Sequence, residues 1–235
     1  MVVSFLLSMF KKALFMSFMV LMFISVMSFT HNNGLKLQQQ YDRLSRMTRH
    51  VLNYQGTIET DSTRKKAINK IIGIINRYNR TLSDSSKYAI ASEIQKMSVK
   101  YSNLDINLIC ATITHESARS WQPEVVSHAG ALGLMQIMPY TGKLLIKHEG
   151  IKWTSSREVL FNPIINIRIG CRYLSMLIEL YSVDGGLAAY NGGPRRAKKW
   201  IASGRNYDVL FEETRYYVPA VLELYDHYKR RTLLD

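Results

Sequence analysis

Apolar and polar positions along the chain recur with the period of helices rather than of strands. Ala13 to Phe29 carry no charge and are rich in Met, Phe, Leu and Val. Thr30 to Gly34 then form a polar break. Between Leu35 and Leu52 the apolar residues Leu37, Tyr41, Leu44 and Val51 are spaced by three or four positions or multiples of that. The spacing predicts an amphipathic helix with a basic outer face. After a polar stretch from Asn53 to Thr63, a second helix is predicted to carry Ile68, Ile71, Ile72 and Ile75. The run Ser83-Asp84-Ser85-Ser86 supplies caps for a third, with Ile90, Ile94 and Met97 on one face. Asp105 can cap a helix running to Glu116, and Phe161-Asn162-Pro163 starts another that carries Ile167, Tyr173, Leu174 and Leu177. A last helix is expected over about 213–228, and Pro123 with several glycines breaks the middle of the chain. Alternating strand patterns are scarce, so the fold class is mainly α.

The first apolar run changes the picture of where the chain works. Lys11 and Lys12 stand just before it, the order of an export signal or anchor. Its length just reaches the lower limit for a spanning helix, about 17 residues. An A-x-A cleavage site is missing, with Ser28-Phe29-Thr30 the best substitute, so an uncleaved anchor is favoured over a removed signal. The positive-inside rule leaves the short N-terminal tail in the cytoplasm and the rest outside, in the cell envelope. No Cys follows the run, so lipid attachment there is not expected. The expected divisions are residues 1–30 as signal or membrane anchor, 31–83 as helical spacer or accessory helices, and 84–230 as the main domain. Residues 35–82 can serve as a spacer from the membrane or as helices packed on that domain.

Net charge is +13, from 31 Lys and Arg against 18 Asp and Glu. That surplus favours anionic partners. No RNA- or DNA-binding motif accompanies it, so nucleic acid is not expected, whereas anionic cell wall fits. Cys110 and Cys171 can form one disulfide outside the cytoplasm or serve as two small buried side chains. Without a C-x-x-C or a His cluster, no metal site is expected.

Candidate chemistry begins at Glu116. It closes the apolar stretch Leu108-Ile109-Cys110-Ala111-Thr112-Ile113-Thr114-His115-Glu116-Ser117, on the same helical face as Ile109, Thr112 and Ile113. A carboxylate on a buried face has its pKa raised by desolvation, which suits a general acid. His115, just before it, is expected to be an exposed histidine. Further on, Gly130-Ala131-Leu132-Gly133-Leu134-Met135-Gln136-Ile137-Met138-Pro139 offers two glycines for close backbone approach and Met135 as an adaptable apolar contact. Gln136 there supplies both a donor and an acceptor for sugar hydroxyls and amides. Tyr190 and Asn191 precede a Gly-Gly-Pro turn and can point into a cleft.

Taken in order, these blocks form a signature. E-S, G-A-L-G-L-M-Q-I-M-P, N-P-x-x-N-I-x-x-G-x-x-Y-L from Asn162, A-A-Y-N-G-G-P and E-T-R-x-Y-V from Glu213 resemble the soluble lytic transglycosylase catalytic domain over about residues 84–230. The resemblance implies a lysozyme-like, mainly α domain, with an N-terminal membrane or signal helix and extra N-terminal helices in this chain. It implies cleavage of peptidoglycan glycan strands between N-acetylmuramic acid and N-acetylglucosamine, without metal or cofactor. It assigns the catalytic acid/base to Glu116. Ser117 would orient the carboxylate or the sugar, Met135 and Gln136 would line the cleft, and Tyr190 and Asn191 would hold the muramic acid. Glu213 and Tyr217 match positions near the cleft. One departure stands out: the family reads E-S-x-F-x-P or similar, whereas Glu116-Ser117-Ala118-Arg119-Ser120-Trp121-Gln122-Pro123 has two extra residues, with Trp121 in the aromatic place and Arg119 adding charge. Alternative functions for such a domain are hydrolysis, as in goose-type lysozymes, or a wall-binding or wall-opening part of a secretion or appendage assembly.

Overall fold

The computed structural model describes residues 16, 17, 19, 21, 22, 43–48 and 60–231. The chain divides into two compact units, Met1–Asp61 and Ser62–Asp235. In the first, the described residues are helical, and Met16, Met19, Leu21 and Met22 are exposed. Most of the expected anchor, and most of the helix expected between Leu35 and Leu52, lies outside the described residues. Among the described residues no helix is long and apolar enough to cross a membrane.

In the second unit the described residues run from 62 to 231. The helix covering 62–78 (α1) buries Ile68, Ile71, Ile74 and Ile75 in the main core. Its Lys70 Nζ donates to Asn107 Oδ1 at 2.5 Å and to the Tyr228 carbonyl at 2.7 Å. Residues 62–78 therefore pack against the rest of this unit, because their isoleucine face is apolar enough to be buried. Then come α2 (Asp84–Lys100), α3 (Ile106–Glu116), α4 (Pro139–Leu145), α5 (Ser156–Leu160), α6 (Pro163–Gly192), α7 (Pro194–Ala202) and α8 (Glu212–Arg231). Between residues 126 and 137 two isolated antiparallel bridges, Val126–Leu132 and Leu132–Ile137, are the strand-like pairings.

Capping sets the starts of the key helices. Ser83 accepts from the Ser86 amide, Asp105 from Asn107 and Leu108, and Asn162 from Ile164 and Ile165, each satisfying orphan N–H groups. α3 is the central helix. Leu108 to Thr114 are all buried, as expected of a helix that is apolar on every side. It packs against α2 and α8, while α6 packs against α2, α7 and α8. On the α2–α6 contact, buried Glu93 accepts a two-pronged bond from Arg168, at 2.6 and 3.2 Å. α6 is broken at Ser182, whose φ of 64° and ψ of 178° are not helical, so its second half turns to deliver Tyr190 and Asn191.

Candidate active site

Glu116 ends α3, so helix and core fix where its carboxyl stands. Ile109, Thr112 and Ile113 on its face are all fully buried. The chain then turns sharply. The Arg119 amide reaches back to the Thr114 carbonyl at 2.8 Å, and Ala118, Arg119 and Trp121 have φ of 50°, 61° and 51°. Left-handed backbone costs an L-residue about 1–2 kcal/mol. Trp121 supplies the compensation: it is fully buried, and its indole N–H donates to Thr114 Oγ1 at 3.0 Å. Thr114 meets the Tyr228 hydroxyl at 3.0 Å, which donates to the Tyr78 hydroxyl at 3.0 Å. This ladder across α1, α3 and α8 anchors the two-residue-longer loop directly behind the acid.

Tyr217 of α8 is buried, and its hydroxyl donates to Glu116 Oε1 at 2.7 Å. Glu116 is partly covered, and loss of water pushes its carboxyl up from an ordinary 4.5 to about 8. The Tyr217 bond pulls the other way, and the negative charge of Glu213 adds to the rise. Burial above all, then the charge on Glu116, holds the Tyr217 phenol well above its usual range, so it stays a donor. His115 is half-buried rather than exposed, edge-on to Tyr217 with ring centres 4.8 Å apart at 79°. Burial and then Arg119 lower its pKa.

The second wall is the loop from Ser127 to Pro139. Asn166 of α6, fully buried, holds it: Oδ1 accepts from the Met135 amide at 2.8 Å, and Nδ2 donates to the Leu132 and Leu160 carbonyls, both at 2.9 Å. Gly133, at φ 80°, must be glycine here, since a Cβ would stand 2.3 Å from both Asn166 Nδ2 and the Leu160 carbonyl oxygen. Gln136 sits at φ 48°, and its Nε2 donates to the Val125 and Gly133 carbonyls at 3.2 and 2.8 Å. Its amide donors are thus spent on the loop, leaving Oε1 as the polar atom still to be engaged.

Two of the residues expected at the cleft are fully buried. Met135 was expected to line the cleft, but its side chain is fully buried beside Cys171, with Sγ to Sδ 3.9 Å. Its contribution is its carbonyl, which accepts from the Tyr190 hydroxyl at 2.7 Å. Ser117 is also fully buried, and its Oγ accepts from the Trp121 amide at 3.1 Å, which shapes the loop beside Glu116. Both are small or apolar enough to pack, and the core takes them. Cys110 and Cys171 are free and buried, and burial raises both thiols.

Tyr217 and Glu213 act on Glu116, and Glu213 in turn meets Asn191. Tyr190 stacks obliquely on Tyr173 and feels the charge of Glu116. Asn191 Nδ2 donates to Glu213 Oε1 at 3.2 Å, and Thr214 Oγ1 donates to Asn191 Oδ1 at 2.6 Å. Asn166 and Thr214 were not singled out from the sequence, although both lie inside the blocks N-P-x-x-N-I and E-T-R-x-Y-V. Among the described residues no group of three or more His, Cys, Asp or Glu is placed to hold a metal ion.

A helical domain whose central helix ends in one desolvated carboxyl, facing a tyrosine and a Tyr–Asn pair, is of the lysozyme-like kind. Residues 93–209 match the family described as the transglycosylase SLT domain, and the chain belongs to it. The soluble lytic murein transglycosylase of Escherichia coli K12 is 38% identical over 135 residues, which is 53% of this chain and 20% of that protein. Membrane-bound lytic murein transglycosylase C of Salmonella paratyphi B is 37% identical over 120 residues, 47% of this chain and 32% of that one. Among solved structures, an inactive mutant of the lytic transglycosylase Slt from Pseudomonas aeruginosa superposes with a TM-score of 0.52 at 32% identity, covering 60% of this chain and 24% of that one. The 70 kDa soluble lytic transglycosylase in complex with bulgecin A gives 0.53 at 31% identity, covering 64% and 26%. The match therefore spans a fifth to a third of the curated relatives' length.

Proposed function

We propose that this chain cleaves peptidoglycan glycan strands as a lytic transglycosylase, with Glu116 as the one general acid and base. The observation that carries the reading is the Glu116 carboxyl, pushed up to about 8 while bonded to Tyr217. At neutral pH such a group holds a proton it can donate to the glycosidic oxygen leaving the muramic acid. The muramic N-acetyl group stabilises the positive charge at the anomeric carbon. Glu116, now a carboxylate, takes the proton of the sugar's own C6 hydroxyl, whose oxygen attacks the anomeric carbon and closes a 1,6-anhydro ring. No water is consumed, and the attacking oxygen is already tethered, which gives it a high effective concentration. Tyr217 steadies the carboxylate form. Tyr190, Asn191, Gln136 Oε1 and Glu213 position the muramic acid. The two relatives described above are both murein transglycosylases, which supports the substrate class.

Digestion of purified sacculi followed by mass spectrometry tests the reading. The chain is expected to release fragments whose reducing ends are one water lighter than hydrolysed ends. Hydrolysed ends alone would mean a lysozyme-like hydrolase instead, and intact sacculi would mean a binding or assembly module.

We further propose that the Ala13–Phe29 run behind Lys11 and Lys12 tethers the chain to the membrane with its catalytic unit in the cell envelope. Deleting residues 1–30 is expected to move the protein from the membrane fraction to the soluble one. An unchanged distribution would contradict the tether.

A further inference from the structure

His115 has no part in the reaction proposed above, yet contacts lead from it to the reacting carboxyl. It precedes Glu116 at the end of α3 and is half-buried. Its ring meets the Tyr217 ring edge-on, with centres 4.8 Å apart at 79°. The Tyr217 hydroxyl in turn donates to Glu116 Oε1 at 2.7 Å. Imidazole, phenol and carboxyl therefore form one unbroken row. A half-buried histidine against a tyrosine ordinarily fills space. The charges around this one give it more to do.

α3 packs on α8, which carries Glu213 and Tyr217 four positions apart and so on one face. Burial above all, and then the charge of Arg119 on the longer loop after α3, disfavour a proton on His115, while Glu213 favours one. The balance keeps His115 neutral at neutral pH, and its charge appears only on acidification below an ordinary 6.5. Glu213 also adds to the rise of the Glu116 carboxyl, so one exposed carboxylate serves two proton sites. A proton gained by an imidazole nitrogen places a positive charge opposite Glu213 and offsets that help. The carboxylate form of Glu116 becomes easier to reach and is a weaker base. Its second task, taking the C6 hydroxyl proton, then slows.

We infer that His115 sets the acid limit of the reaction: neutral against Tyr217 it leaves Glu116 strong enough as a base to close the anhydro ring, and protonated it weakens that base by opposing Glu213. The inference rests on the transglycosylase reading above. His115 is a positioning residue, acting on Glu116 through Tyr217 and Glu213.

The test is the pH profile of anhydro-end release from purified sacculi by the full chain, read by mass spectrometry. Release by the unaltered chain should fall on the acid side to a plateau roughly tenfold lower. The midpoint of that fall should lie below 6.5. His115→Gln keeps a planar polar group but cannot gain the proton. Its acid limb should vanish, while the alkaline limb stays in place because His115 is already neutral there. A space-filling role alone would lower the rate at every pH and leave both limbs where they were. Arg119→Gln, a change at an exposed side chain, should move the acid limb to higher pH, and Glu213→Gln should move it to lower pH. The sacculi titrate alike for every variant, so differences between profiles belong to the enzyme. An acid limb that survives His115→Gln, or that moves the opposite way in the other two variants, overturns the inference. So does an unaltered chain whose rate stays level or rises on acidification below 6.5. If His115→Gln does not fold, the direction of the Arg119→Gln shift decides. Anhydro ends released without these shifts sink this inference alone. Absence of anhydro ends at every pH sinks the proposed activity, and this inference with it.

Discussion

Two polar side chains stand in the interior on either side of the site, and they are treated in opposite ways. Asn166 is fully buried and its amide meets three backbone partners, at 2.8, 2.9 and 2.9 Å. Glu116 accepts one side-chain hydrogen bond among the described residues, from Tyr217, and its carboxyl is pushed up to about 8. Asn166 has no chemistry left to offer, and its effect is a fixed loop. Glu116 is left under-partnered in a place that disfavours its charge, which is what the acid role proposed for it requires. The structural group and the group proposed as catalytic are distinguished by how completely they are satisfied.

The largest effect expected from breaking this contrast is on turnover. Glu116→Gln keeps the shape but removes the transferable proton, and the rate of glycan release should fall about a thousandfold or more. The same change should make the fold more stable at alkaline pH. A carboxyl whose folded pKa exceeds its unfolded one stabilises the folded state fully at low pH, and that contribution is lost as pH rises from 4.5 through about 8. Above that range the variant should melt higher, by roughly 1–3 kcal/mol after allowance for its partial exposure. Equal melting curves across the pH range would show that Glu116 carries no burial penalty.

Asn166→Ala is next and acts on the other side of the contrast. It strands the Met135 amide and the Leu160 carbonyl and leaves the Leu132 carbonyl with the Ile137 amide alone, at a cost of about 3 kcal/mol or more. Denaturant unfolding measures it, and a loss below about 1 kcal/mol would mean that the loop is held by something else. Tyr217→Phe should lower turnover by about tenfold to a hundredfold while leaving substrate affinity nearly unchanged. Because the phenol favours the carboxylate form, its removal should move the alkaline limb of the rate profile upward. The smallest effect is expected of Glu213→Gln. Taking away that nearby charge should shift the alkaline limb slightly downward, and an upward shift would contradict the electrostatic role given to it.

Much of this arrangement was legible beforehand, for reasons tied to particular residues. Asp105, Ser83 and Asn162 cap helices through their own side chains, so the starts of α2, α3 and α6 are local properties of the chain. Glu116 was readable because helical spacing alone aligns it with Ile109, Thr112 and Ile113. Long-range packing was not readable. Only the fold brings Met135 beside Cys171 and Ser117 beneath Trp121, which turns two expected cleft residues into core. The same holds for α1, whose isoleucines fit a spacer or a packed helix until the neighbours that bury them are known. α7 buries only Ala197 and Trp200 among basic neighbours, a pattern too short to fix a helix from local spacing.

The central claim is the protonation of one carboxyl, and it can be observed directly. Carbon-13 detected titration of the full chain with labelled glutamate should show one side-chain carboxyl with a midpoint near 8, absent from the Glu116→Gln variant. If every glutamate instead titrates near 4.5, Glu116 is an ordinary carboxylate at neutral pH and cannot be the proton donor proposed for it.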